Sequence, residues 1–154
     1  MSDGETNNIR DFPLAWRWTD PEHTVLPDSV LAQLHPLDAT EVARLDKRLG
    51  FPVKGPKLRR DMFASRQECG AWEASLLFIR LGIADATIVF LYWNSETALR
   101  TTWGIFRQYW KDFCYPSLDN VFISPEDNSW LLFYDHEQNF SFGKRKDKGQ
   151  EPKK

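Results

Sequence analysis

Val121-Phe-Ile-Ser-Pro-Glu-Asp-Asn-Ser-Trp-Leu-Leu-Phe-Tyr-Asp-His-Glu-Gln-Asn-Phe-Ser-Phe142 holds three short apolar runs separated by two clusters of turn-forming residues. The runs, residues 121–124, 130–134 and 140–142, are rich in the β-branched and aromatic side chains that fit a pleated surface. The separators, residues 125–129 and 135–139, supply Pro, Asp, Asn and Ser, which favour turns through a fixed φ or through side-chain bonds to nearby backbone. This spacing predicts a three-strand antiparallel meander.

Upstream, Thr87-Ile-Val-Phe-Leu-Tyr-Trp93 is β-branched, aromatic and almost wholly apolar, the pattern of a central strand covered on at least one face. Asn94 or Ser95 then offers a cap for a helix in which Leu99, Trp103, Phe106, Tyr109, Trp110 and Phe113 recur at three- and four-residue steps, until Pro116 ends it. Aromatics at that spacing read as core. The strand plus the meander gives an α+β fold: a small, mostly antiparallel sheet of one central strand and a C-terminal three-strand meander, with helices packed on one face.

The first half carries weaker signals. Residues 15–18 read as a short extended piece, and Asp28 begins a helix running to His35 before Pro36. Asp38-Ala-Thr-Glu41 has the form of a capping box, with Val42, Leu45 and Leu49 at helical spacing before Gly50. Residues 51–62 read as a loop punctuated by Pro52, Gly55 and Pro56. Ser65-Arg-Gln-Glu68 has the same capping form and predicts a helix to Gly82, with Cys69, Trp72, Leu76 and Ile79 on its inner face. The expected organisation is a flexible leader 1–10, one domain 11–143, and a disordered basic tail 144–154.

A chain of 154 residues that is 42% hydrophobic, with seven Trp, is long and apolar enough to bury a core. The formal charge of −2 conceals a division along it. Residues 1–53 sum to −4, 54–60 to +4, 61–143 to −6 and 144–154 to +4. Two cysteines indicate buried thiols and no disulfide framework. The polar, acidic opening Met1-Ser-Asp-Gly-Glu-Thr-Asn-Asn does not read as a signal peptide, and no apolar run is long enough to span a membrane. A cytoplasmic protein without membrane contact is expected.

Catalytic patterns are missing from the sequence. Asp135-His136-Glu137 offers ligand-type residues, but neighbours on a strand point to opposite faces, and no HExxH or paired CxxC occurs. Cys69 and Cys114 have no adjacent histidine to activate them, the HxE and PCxxC of zinc deaminases are missing, and no glycine-rich phosphate loop is present. The chain reads as a binding protein rather than an enzyme, with no cofactor, metal or small-molecule substrate expected.

Between Asp112 and Gly143 stand six carboxylates, Asp112, Asp119, Glu126, Asp127, Asp135 and Glu137, and no Lys or Arg. Such a segment attracts a basic protein surface and repels nucleic acid. An ordinary solvated face collects Asp and Glu at turns equally well. On the binding reading, Asp119, Glu126, Asp127, Asp135 and Glu137 are the charged contacts, with Trp130 or Tyr134 as an aromatic anchor.

Leu14-Ala-Trp-Arg-Trp18, Leu34-His-Pro-Leu37, residues 87–93, Thr101-Thr-Trp-Gly-Ile-Phe-Arg-Gln-Tyr-Trp-Lys-Asp-Phe113 and the closing meander together resemble an uncharacterised bacterial family of unknown function. The small acidic plan, with its meander containing Trp-Leu-Leu-Phe-Tyr-Asp-His-Glu, is also similar to immunity proteins of contact-dependent inhibition and related polymorphic toxin systems. That resemblance implies a protein that binds and neutralises a cognate bacterial toxin domain, a nuclease being favoured because its basic cleft would accept carboxylates in place of phosphates. Two alternatives stand beside it: a nucleic-acid-associated adaptor using Lys54, Lys57, Arg59 and Arg60, and an enzyme of unrecognised type.

Overall fold

The meander forms as the sequence predicts: β8 (Val121–Pro125), β9 (Trp130–Asp135) and β10 (Asn139–Arg145) pair antiparallel in succession. A computed structural model describes residues 8–55 and 57–146 of the chain. The strand expected at 87–93 is β6 (Ile88–Asn94), which pairs with β8 through Val89, Phe90, Leu91 and Tyr92. With β2 (His35–Pro36), β5 (Phe63–Gly70) and β7 (Thr97–Thr102) the sheet grows around this nucleus to seven strands in the order β2-β7-β6-β8-β9-β10-β5, every pairing antiparallel. The fold is α+β.

The added strands come from segments whose local signals point elsewhere. Residues 65–68 lie inside β5 (Phe63–Gly70), where they pair with Lys144, Gly143, Phe142 and Ser141 of β10. A capping-box pattern stabilises a helix end by about 1 kcal/mol, and seven backbone pairings outweigh it. Leu99 belongs to β7 (Thr97–Thr102), not to the following helix, and pairs with Leu91 and Pro36. Helix α5 (Trp103–Phe113) starts only after Thr102, whose hydroxyl accepts from the Ile105 N–H.

Alternation along β9 explains the layers. Leu132 and Tyr134 join the core under α5 and α4 (Ala74–Leu81), while Leu131 and Phe133 point the other way. The second face is therefore apolar too, and α3 (Ala39–Leu49) covers it with Val42, Leu45 and Leu49. Helices pack on both faces, not one. Helix α3 matches expectation in detail, with a reciprocal Asp38–Glu41 capping box and a left-handed Gly50 at its end.

Three further expectations change. Residues 16–19 form one helical turn, α1 (Trp16–Thr19), followed by the short β1 (Thr24–Val25). Helix α2 (Asp28–Leu31) stops four residues before His35, which enters the edge strand β2 (His35–Pro36). The loop 51–62 contains a two-strand hairpin, β3 (Val53–Lys54) and β4 (Lys57–Leu58), seated beside β10 and β5. Gly143 permits that seat, because a Cβ there would lie 2.8 Å from both Leu58 and Phe63.

At the ends, Ile9 is buried in the core and Arg145 completes β10, its Nη2 donating to the Leu49 carbonyl at the end of α3 (3.3 Å). The ordered body thus includes residues expected in the leader and the tail. Residues 1–7 and 147–154, which hold the rest of those expected segments, lie outside the described residues.

Candidate functional site

The six carboxylates of residues 112–143 do not gather into one surface. Asp119 is buried and bound on both oxygens by the buried Arg17 guanidinium, Nη1–Oδ2 2.6 Å and Nη2–Oδ1 3.1 Å. The Tyr115 N–H also donates to Asp119 Oδ2, and the Tyr115 ring lies under the guanidinium at 3.9 Å. A charge so enclosed offers nothing to a partner. Asp112 accepts from the Thr24 hydroxyl (2.9 Å).

Glu126 and Asp127 are exposed in the β8–β9 turn, where Arg48 of α3 donates to the Pro125 and Glu126 carbonyls. Glu137 is exposed in the β9–β10 turn, at the other end of β9. A strand of that length separates the two turns by roughly 17–20 Å. The two aromatic anchors are also committed. Tyr134 is fully buried, and burial above all pushes its hydroxyl up to about 12. Trp130 packs on Trp103 and Phe142 at ring distances of 5.7 and 5.6 Å.

One part of the expected set does converge. Strand alternation sends Asp135 to the α3 side of the sheet, in line with Leu131 and Phe133. There it lines a cavity of about 470 Å³ together with Glu137, His136, Asn120, Phe122, Phe133 and the hairpin residues Val53 and Gly55. Phe122 and Phe133 stack at 4.7 Å to form an aromatic wall. Asp135 is 2% exposed; its Oδ1 accepts from the Glu137 N–H at 2.7 Å, and its Oδ2 has no hydrogen-bond partner.

Native structures leave few buried carboxylate oxygens unpartnered, and Asp135 Oδ2 is one of them, closed to solvent in a residue that borders this cavity. Among the described residues no Lys or Arg lines this cavity. Its one titratable base, His136, is held by Asn120, whose Oδ1 accepts from the His136 N–H (3.0 Å) and sits 3.1 Å from Nδ1, while Nδ1 also lies 3.8 Å from Asp135 Oδ1. On its other side Asp135 lines a smaller cavity of about 320 Å³, where Lys57 is occupied by Glu68 at 3.6 Å. Aromatic walls with two carboxylates suit the stem and head of a basic side chain: the rings take the methylenes and the carboxylates take the charge.

The sequence signal that marked Asp135 and Glu137 was acidity alone. The walls Phe122 and Phe133 were legible only as strand residues, because nothing local reveals that the 51–62 hairpin encloses them. Among the described residues, no three His, Cys, Asp or Glu side chains gather so as to hold a metal ion, and no helix is long and apolar enough to cross a membrane. Cys114 is buried and free, its thiol pushed well up by burial, and Cys69 is free and half-buried.

Residues 71–143 match the family described as "Protein of unknown function (DUF2947)". The matched segment runs from the end of β5 to Gly143, and so contains α4, α5, β6 to β9 and the Asp135–Glu137 turn. The basic hairpin and α3 fall outside it. No curated protein and no solved structure matches the chain.

Proposed function

We propose that this chain is a non-catalytic binding protein that seats a Lys or Arg side chain of a basic partner protein in the Asp135 cavity, in the manner of an immunity protein on its toxin. The observation that supports this reading is the buried, unpartnered Asp135 Oδ2 beside a cavity that bears two carboxylates and, among the described residues, no Lys or Arg. A guanidinium or ammonium entering there completes the hydrogen bonding of a desolvated charge, which gives a slow off-rate, while Glu137 at the rim steers approach. The toxin-neutralising role comes from the sequence resemblance alone, and the acidic lining of the cavity is compatible with a basic partner.

The test is growth rescue. The toxin domain encoded beside this gene is expressed in a sensitive host with the wild-type chain or with Asp135→Asn. Rescue by the wild type and its loss with Asp135→Asn, at equal soluble protein, is the expected result. Equal rescue by both removes the cavity from the account, and a neighbourhood without a toxin gene removes the immunity role.

A further inference from the structure

The acidic cavity has a basic neighbour. Val53 of the β3–β4 hairpin borders both, and on its far side the hairpin and β5 enclose an open groove of about 1140 Å³. Five cationic side chains line the groove, Lys54, Lys57, Arg59, Arg60 and Arg66, against two carboxylates, Asp61 and Glu68. The carboxylates are spoken for. Arg59 binds Asp61 with two nitrogens (3.1 and 2.7 Å) and Lys57 lies 3.6 Å from Glu68. Lys54 and Arg60 pair with no carboxylate among the described residues. The groove therefore carries a net excess of three positive charges.

An exposed aromatic outside the groove's lining is tied to it through Arg59. Phe51 is 86% exposed, with a left-handed φ of 54° that is a genuine outlier for a bulky residue. The strain is held from the groove side: Arg59 Nη1 donates to the Phe51 carbonyl (3.1 Å), and the Arg59 N–H donates to the Pro52 carbonyl (2.8 Å). A ring kept in solvent at a conformational cost, by the arginine of a basic groove, is a feature that folding alone does not require.

We propose that this groove binds the phosphate backbone of a single-stranded nucleic acid, with Lys54 and Arg60 on phosphates and Phe51 stacking on a base. Cations tracking a backbone beside an exposed aromatic ring are the two elements that sequence-tolerant single-strand binding needs. An acidic protein would satisfy the cations but would leave Phe51 unexplained. The net acidity of the rest of the body confines the contact to this groove and favours a short footprint.

Fluorescence anisotropy tests it, using the full chain and labelled oligo(dT) and oligo(U) of about twenty nucleotides at about 50 mM salt. The wild type binds. Lys54→Gln with Arg60→Gln weakens binding at least about tenfold and, with two phosphate contacts gone, flattens the slope of log K against log salt by about 1.4. Phe51→Ala weakens binding about tenfold with the slope unchanged. Thermal unfolding of all variants stays near the wild type. No binding by the wild type overturns the proposal, as does indifference to the double substitution. Displacement by polyglutamate at equal charge, with Phe51→Ala without effect, also overturns it and assigns the groove to an acidic protein.

Discussion

Arg17 and Asp119 stand 102 residues apart in the chain and meet in a buried, two-pronged ion pair that ties α1 to the loop entering β8. Tyr115 stacks on the guanidinium and bonds the carboxylate through its own N–H, so the pair is a fixture of the fold. Asp119→Ala strands a buried cation and is expected to cost about 3–5 kcal/mol in urea unfolding. Arg17→Met with Asp119→Leu removes both charges and should recover most of that loss. A cost below about 1 kcal/mol for the single substitution would show that the pair is solvated in solution.

Helix α4 gives a test of phase. Its buried residues are Ala74, Leu77 and Phe78, while Leu76 and Ile79, with Trp72 (87% exposed) in the 3-10 turn just before it, face solvent. Leu77→Ala should therefore cost about 2–5 kcal/mol, and Leu76→Ala about 0.5 kcal/mol or less, by chemical denaturation. The opposite order would rotate the helix by about a third of a turn.

Alkaline pH reports on two buried phenols. Burial first, then the hydrogen bond to Asp46 and its charge, push Tyr92 up to about 12; Tyr134 reaches about 12 through burial and its acidic surroundings. Both values exceed the ordinary 10.0, so the folded state holds these protons after the unfolded chain has released them. Their contribution is complete below pH 10 and falls away as pH rises through 12, by up to about 1.4 kcal/mol per pH unit for each. Unfolding free energies measured between pH 9 and 12 should fall steeply for the wild type and much less for Tyr92→Phe with Tyr134→Phe.

Gly143 tests the seat of the hairpin. Gly143→Ala drives a methyl into Leu58 and Phe63, and should cost about 1–3 kcal/mol. Because the hairpin walls both the acidic cavity and the basic groove, ligand binding at each should weaken with it. A variant as stable as the wild type would mean that the hairpin yields easily.

Legibility in the sequence followed the range of the interactions. The meander, β6 and the Asp38–Glu41 capping box rest on local periodicity and turn chemistry, and they were readable. Residues 65–68 carry the same capping pattern as residues 38–41, yet only the second is a cap, since β10 claims the first as an edge strand. No window around Ser65 contains the residues that decide its state. Asp119 stands out in the sequence only by its charge, and that charge is what binds it to the buried Arg17. Asp135 carries the same charge, but strand alternation turns it toward a cavity whose described lining holds no Lys or Arg.

The cavity itself can be examined without knowing the partner. N-acetyl-arginine amide is titrated into the labelled protein and followed by two-dimensional amide NMR, beside its uncharged citrulline analogue. Asp135→Asn keeps the shape and still accepts from the Glu137 N–H, so any change in binding reports the charge. The account predicts saturable shifts at Phe122, Phe133, His136 and Glu137 for the arginine derivative, none for citrulline, and none for either in Asp135→Asn. Equal shifts in the variant, or shifts confined to the β8–β9 turn around Glu126, would contradict it.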